Sequence, residues 1–268
     1  MGVFFNIAFC IGVLIQCTHA FTAVCVCVRS RAVETSITAT PLISILIPSF
    51  RKTTTTEDDA HLYVAIDSDD TFWLKYVKVI ESIGKVVIVN KTSLDGRIPF
   101  NEITQRAQDD GAEYIVRVND DTEFVTPGWV QIAKDELRKM DPPNVGVVAP
   151  VCNQGNTAIF THDMVHRTHL KIFKTYYPAE FKNWFTDDWI TLVYRPNNAK
   201  SLNNWIVRHR MIATRYIVEN HSPQEVNAKV DAGKVLIGNF VGGIKHSTAH
   251  KSVVSYSLYG GNNSRYID

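Results

Sequence analysis

An apolar strand that runs straight into a cluster of carboxylates constrains this chain more than any other stretch. Tyr114-Ile115-Val116-Arg117-Val118 has the β-branched bias of a buried strand, and Asn119-Asp120-Asp121-Thr122-Glu123-Phe124 follows at once. The acids therefore gather at a strand's carboxyl end, where open α/β sheets bind ligands. Carboxylates crowded on one short turn repel each other unless a cation lies between them. Hard oxygen donors of this kind suit Mg²⁺ or Mn²⁺ holding a substrate diphosphate. A solvated acidic turn that caps the next helix is the plainer alternative.

The rest of the chain supplies context. Its 268 residues, 45% hydrophobic and 21% charged, suffice for one sizeable domain with a short appendage. The net charge of +1 and the scattered basic residues, with no run of Lys or Arg interleaved with aromatics, give no sign of a nucleic-acid partner. Four of five cysteines (Cys10, Cys17, Cys25, Cys27) lie in the first 27 residues and only Cys152 lies in the body, which excludes a disulfide framework for the main domain. Val3 to Val28 is mostly apolar and carries no charge before Arg29. That length fits either a membrane anchor through residues 3–28 or a cleaved signal peptide. The expected division is 1–28 as signal or anchor, 29–40 as a short Ser/Thr-rich stem, 41–250 as the main domain and 251–268 as a tail. Entry into the secretory pathway, to the Golgi or ER membrane, or secretion after cleavage, is the matching location. Sequons at Asn90, Asn220 and Asn262 agree with it without establishing it.

Within the body, Leu42 to Ile47 reads as a central strand stopped by Pro48, and His61 to Ile66 as a second strand that again delivers acids: Asp67, Asp69 and Asp70. Helical spacing from Phe72 to Ile83, closed by Gly84, leads to a strand at Lys85 to Val89; a helix from Pro99 to Asp110 precedes the Tyr114 strand. Strands alternating with helices predict an α/β fold: a Rossmann-like, mostly parallel sheet with helices on both faces. Only Ser49 to Ala60 separates the first two predicted strands, too few residues for an ordinary crossover helix with its loops. Further on come a helix from Trp129 to Met140 and a strand from Val145 to Pro150. Ser201 to Tyr216 reads as a basic amphipathic helix, and Glu225 to Ile237 as helix then strand. His162, His166 and His169 have spacings that put imidazoles on one helical face, though packing and hydrogen bonding explain them better than a metal. Asp187 and Asp188, between Phe185 and Trp189, combine acidity with apolar neighbours, which suits either a general base or a helix cap.

Together these motifs resemble glycosyltransferase family 2-like proteins of the GT-A fold, in a little-characterised eukaryotic branch. The resemblance rests on Ile43 to Phe50, on Ala65-Ile66-Asp67-Ser68-Asp69-Asp70, on Gly96-Arg97 through Asn101, on Val118 to Glu123 as a DxD-type motif, and on Val165 to Leu170 and Phe181 to Trp189. It implies transfer of a sugar from a nucleotide-diphosphate donor to a hydroxyl on a glycan, protein or lipid, assisted by Mn²⁺ or Mg²⁺. It further implies donor contacts from Asp67, Asp69, Arg97, Asn101, Asn119 and Asp120, metal ligation by Asp121, Glu123 and His246, and a base at Asp187 or Asp188. The short first crossover departs from the family pattern, and supports the alternative of an inactive GT-A-like domain that binds glycan or a protein partner. A metal-dependent nucleotidyl- or phosphotransferase is a third reading, weakened by the absence of a P-loop.

Overall fold

The computed structural model describes residues 20–31, 34–91, 95–152, 154–210 and 219–259, with the backbone alone from 245 onward. Its sheet begins where the sequence suggests a signal or anchor. Strand β1 (Thr22–Val28) is buried along its whole length. It pairs in parallel with β2 (Ala60–Asp67) on one side and β4 (Tyr114–Val118) on the other, so it is a central strand. Strand β3 (Lys85–Val89) closes that edge, parallel to β2. Beyond β4 the sheet turns mixed: β7 (Asp163–His166) runs antiparallel to β4, then come β6 (Val147–Cys152), β8 (Ala199–His209) and β5 (Thr122–Phe124).

This placement corrects several expectations. Residues 22–28 and the adjoining 29–31 belong to the folded domain, so an anchor spanning 3–28 and a domain starting at 41 do not describe the chain; residues 1–19 lie outside the described residues. Among the described residues no helix is long and apolar enough to cross a membrane. Leu42 to Ile47 is helical, a π-type turn over Leu42–Leu46 that runs directly into α1 (Ile47–Thr53). Leu42, Leu46 and Phe50 are buried at four-residue spacing, a helical stripe that outweighs the β-branched composition. Pro48 sits in the first turn of α1, where a missing N–H costs nothing. The crossover from β1 to β2 therefore has its helix, and the departure from the GT-A pattern disappears.

Two short helices, α2 (Thr71–Leu74) and α3 (Val77–Glu81), replace the single helix expected after β2. Helices α4 (Phe100–Asp109) and α5 (Trp129–Arg138) fall where the sequence places them, and α6 (Thr168–Phe173) and α7 (Thr186–Tyr194) follow. Ser201 to His209 is strand, not helix: Leu202, Trp205 and Val207 are buried while their neighbours face outward. Helix α8 (Pro223–Tyr259) is continuous through the stretch expected to end in a strand and past the expected 250/251 boundary.

Core packs on both faces of the sheet, as a parallel strand at its centre requires. Ala23, Cys25 and Cys27 of β1 join α4, α6, α7 and α8, while Val24, Val26 and Val28 join α1, α3 and α5. On the second face Trp129 stacks between Phe124 (4.8 Å) and Trp205 (5.3 Å) and ties β5 and β8 to α5. On the first face Val226 and Val230 of α8 are buried, and Gly233 lies so close to Val193 of α7 that a Cβ there would meet it at 2.5 Å.

Candidate functional site

The carboxyl ends of β1, β2 and β4 open on one edge of the sheet, and the acids gather there because parallel strands all deliver their following loops to the same side. Asp67, the last residue of β2, is 1% exposed and pairs with the buried Lys91 Nζ at 3.0 Å. Burial pushes its carboxyl above the usual carboxylate range, and Lys91 partly opposes that. Asp70 fastens the end of β1 to the loop after β2. Its Oδ2 accepts from the Ser30 N–H (2.7 Å), and its Oδ1 accepts from Trp73 N–H (3.1 Å) at the start of α2. Arg29, Ser30, Asp67, Asp69, Asp70 and Thr71 line a cavity of about 250 Å³.

Past β4, Asp120 and Asp121 are buried. Asp121 Oδ1 lies 3.0 Å from His209 Nε2, and Asn119 Nδ2 lies 3.2 Å from the same nitrogen. His209 is the last residue of β8, paired in register with Thr122 of β5. The antiparallel β5–β8 ladder thus brings it back beside Asp121 and Asn119, the latter 90 residues away in the chain. Sequence reasoning passed over His209, because it lies inside a stretch read as helix. Thr122 Oγ1 then contacts His162 Nε2 at 2.8 Å; burial holds that imidazole well below its ordinary pKa, so it is neutral.

Glu123 does not join these groups. On a β-strand it points away from Thr122, and it pairs instead with Arg208 (3.3 Å) and Arg210. His246 falls in α8 at a position whose side chain lies outside the described residues. Among the described residues no group of three or more His, Cys, Asp or Glu side chains forms a metal cluster. His166 and His169 are used in packing: His169 contacts Tyr194 Oη (2.9 Å) and the Tyr176 carbonyl (2.8 Å), and His166 contacts Thr168 Oγ1 (2.6 Å).

The second acid pair stands in the first turn of α7, where the helix dipole favours negative charge. Its two members differ. Asp187 is bound to the buried guanidinium of Arg117, the last residue but one of β4. Among the described residues Asp188 pairs with no cation; partial burial and the charge of Asp187 push its carboxyl above the usual range. Phe185, just before them, takes a left-handed backbone (φ 66°), rare for a bulky residue. Trp184 is half exposed beside them. The loop before α4 is knitted to this segment: Asn101 bonds Tyr177 through both amide atoms (3.0 and 2.8 Å), and the Ile98 N–H donates to the Lys182 carbonyl (2.8 Å). Arg97 pairs with Asp95 (3.4 Å) and Glu102.

This strand order and this edge of acids define a GT-A-like fold. Among solved structures the chain is similar to TarS residues 1–349 of S. aureus in complex with UDP, at 16% identity and a TM-score of 0.53, over 80% of this chain and 65% of that one. It is similarly alike to the same protein in complex with UDP-GlcNAc, at 16% identity and a TM-score of 0.54, over 81% of this chain and 66% of that one. The chain thus spans just under two thirds of each of these two structures. No protein-family model matches the sequence, and no curated protein matches it. These neighbours carry the GT-A-like fold and not the eukaryotic branch.

Proposed function

We propose that the chain is a glycosyltransferase that takes a nucleotide-diphosphate sugar as donor. The observation that carries this reading is the contact of Asp121 with His209 past the end of β4, on the same carboxyl edge of the sheet as the cavity bounded by Arg29, Asp67 and Asp69. Asp67 with Lys91 offers an acceptor beside a donor, and Asp69 and Arg29 offer further polar contacts for the nucleoside. Asp121 and His209, with Asn119 alongside, would be the residues to hold a Mn²⁺ or Mg²⁺ shared with the donor diphosphate. When bound there, the cation would offset charge on the departing diphosphate. Glu123, held by two arginines, has no part in that set.

Asp188 is the candidate base. Its raised pKa improves its ability to accept the acceptor hydroxyl's proton, whereas Asp187 is committed to Arg117. Transfer then forms a bond from the acceptor oxygen to the anomeric carbon and breaks the bond to the diphosphate, with the hydroxyl proton ending on Asp188. The half-exposed Trp184 presents an indole suited to stacking on a sugar face. The reading of an inactive binding domain drew on a missing crossover helix, and α1 removes that ground.

The test is calorimetric titration of the full chain with UDP, with and without Mn²⁺, alongside hydrolysis of UDP-GlcNAc. Asp121→Asn is expected to weaken Mn²⁺-dependent UDP binding by about tenfold or more. Asp188→Asn is expected to leave UDP affinity within about threefold and to lower turnover by about a hundredfold or more. A folded protein that binds no nucleoside diphosphate in the presence of Mn²⁺ rejects the assignment.

A further inference from the structure

Arg117 is the last residue but one of β4 and its side chain is 3% exposed, a costly place for a charge unless the surrounding groups repay it. They do so from four directions. Nε donates to Tyr177 Oη (2.7 Å) and lies 3.3 Å from Asp163 Oδ2; Nη1 donates to the Thr161 carbonyl (2.5 Å); Nη2 donates to Asp187 Oδ1. Asp163, fully buried, accepts in turn from the hydroxyls of Tyr176 and Tyr177. The rings of Phe100 and Tyr177 lie 5.2 and 5.6 Å from the guanidinium carbon. One cation therefore joins β4, β7, the Tyr176–Tyr177 segment, the start of α4 and the first turn of α7.

Of the side chains that bond the guanidinium among the described residues, those of Asp163 and Tyr177 are buried, whereas the Asp187 side chain is 28% exposed. Asp187 is the strongest charge partner of that guanidinium, ahead of Asp163, and offsets part of the cost of burying it. The contact also fixes the start of α7. Phe185 is in the left-handed region there, and the surrounding contacts must hold it. The next residue after Asp187 is Asp188.

We propose that Arg117 is a positioning residue: through Asp187 it fixes the first turn of α7 and so places the Asp188 carboxylate against the donor bound at the ends of β1, β2 and β4. This rests on the transferase reading for what Asp188 does, but the brace itself can be seen without turnover. The Asn101–Tyr177 and Ile98–Lys182 bonds carry the same fixation to the loop before α4, so donor-side and acceptor-side segments share one anchor. Asp187 is the link and not the base.

The full chain carrying Asp187→Asn, which keeps shape and removes the charge, is compared with Arg117→Lys, with the double variant and with wild type. The expected result for Asp187→Asn has three parts. Amide exchange at Trp189 and Ile190 speeds up about tenfold while amides of β1 keep their rates. Turnover in UDP-GlcNAc hydrolysis falls about thirtyfold, with donor KM and UDP affinity within about threefold. The double variant is no worse than the poorer single variant, as for two halves of one link. A general structural role would instead lower UDP affinity along with turnover, and that result overturns the proposal. So does turnover within about threefold of wild type in Asp187→Asn. If Arg117→Lys fails to fold, the partly exposed Asp187→Asn decides alone. Should wild type neither bind nor hydrolyse the nucleotide, the transferase assignment fails, while the exchange rates still uphold or overturn the brace.

Discussion

His169 shows how a motif-like histidine is spent on structure. It is fully buried, and burial lowers its pKa to about 4, with the Tyr176 carbonyl only partly opposing the shift. The unfolded chain, with an ordinary imidazole near 6.5, binds a proton between those two values that the folded chain refuses. Stability therefore falls as pH drops through about 6.5 and continues to fall until about 4. Between pH 7 and pH 5 this residue alone is expected to cost about 2 kcal/mol, read as a shift in the urea midpoint. A midpoint unchanged over that interval would show that His169 reaches solvent. The same burial argument separates Asp187 from Asp188. Adjacent in sequence and identical in chemistry, they meet different neighbours: among the described residues Asp187 holds the Arg117 guanidinium, while partial burial and the charge of Asp187 raise the Asp188 carboxyl.

At the scale of elements, β5 and β8 do the unusual work. A three-residue strand holds little by itself, yet β5 carries Thr122 to His162 and Phe124 to Trp129, and its pairing with β8 returns His209 to Asp121. Trp129 fixes that pairing from behind, between Phe124 and Trp205. Trp129→Ala should cost about 3–5 kcal/mol in thermal or urea unfolding, from lost transfer energy plus the cavity left behind. It should also loosen the Asp121–His209 contact, so metal-dependent UDP affinity is expected to fall as well. A loss of stability with unchanged affinity would show that the ladder hydrogen bonds suffice to hold the site. The strand at 199–209 was hidden in the sequence because its pattern is irregular: Leu202, Trp205 and Val207 are three and then two residues apart, and the bulge opposite Pro150/Val151 resets the alternation.

At the scale of the molecule the decisive element is β1. Its three valines and four smaller side chains are wholly buried. At about 1.5–3 kcal/mol for each valine, the valines alone contribute about as much as a whole domain's net stability. A chain beginning at Pro41 should therefore show no cooperative unfolding transition by tryptophan fluorescence, whereas one beginning at Ala20 should unfold like the full chain. Cooperative folding from Pro41 would remove β1 from the centre of the sheet. By itself the sequence determined the class of fold, the strands at 60–67, 85–89 and 114–118, and the convergence of Asp67 and Asp121 on one edge. Periodicity and strand polarity are local properties, and they place acids without knowledge of what packs against them. Only the tertiary structure decided that 22–28 is a central strand and not part of an anchor, since an apolar β-branched run reads alike in lipid and in a two-sided core. It alone put Leu42 to Ile47 on a helix, brought His209 and Lys91 to the acids, turned Glu123 away and bound Asp187 to Arg117. Those are contacts between residues up to 90 positions apart, and burial, pairing register and charge compensation act across that distance without a trace in the local pattern.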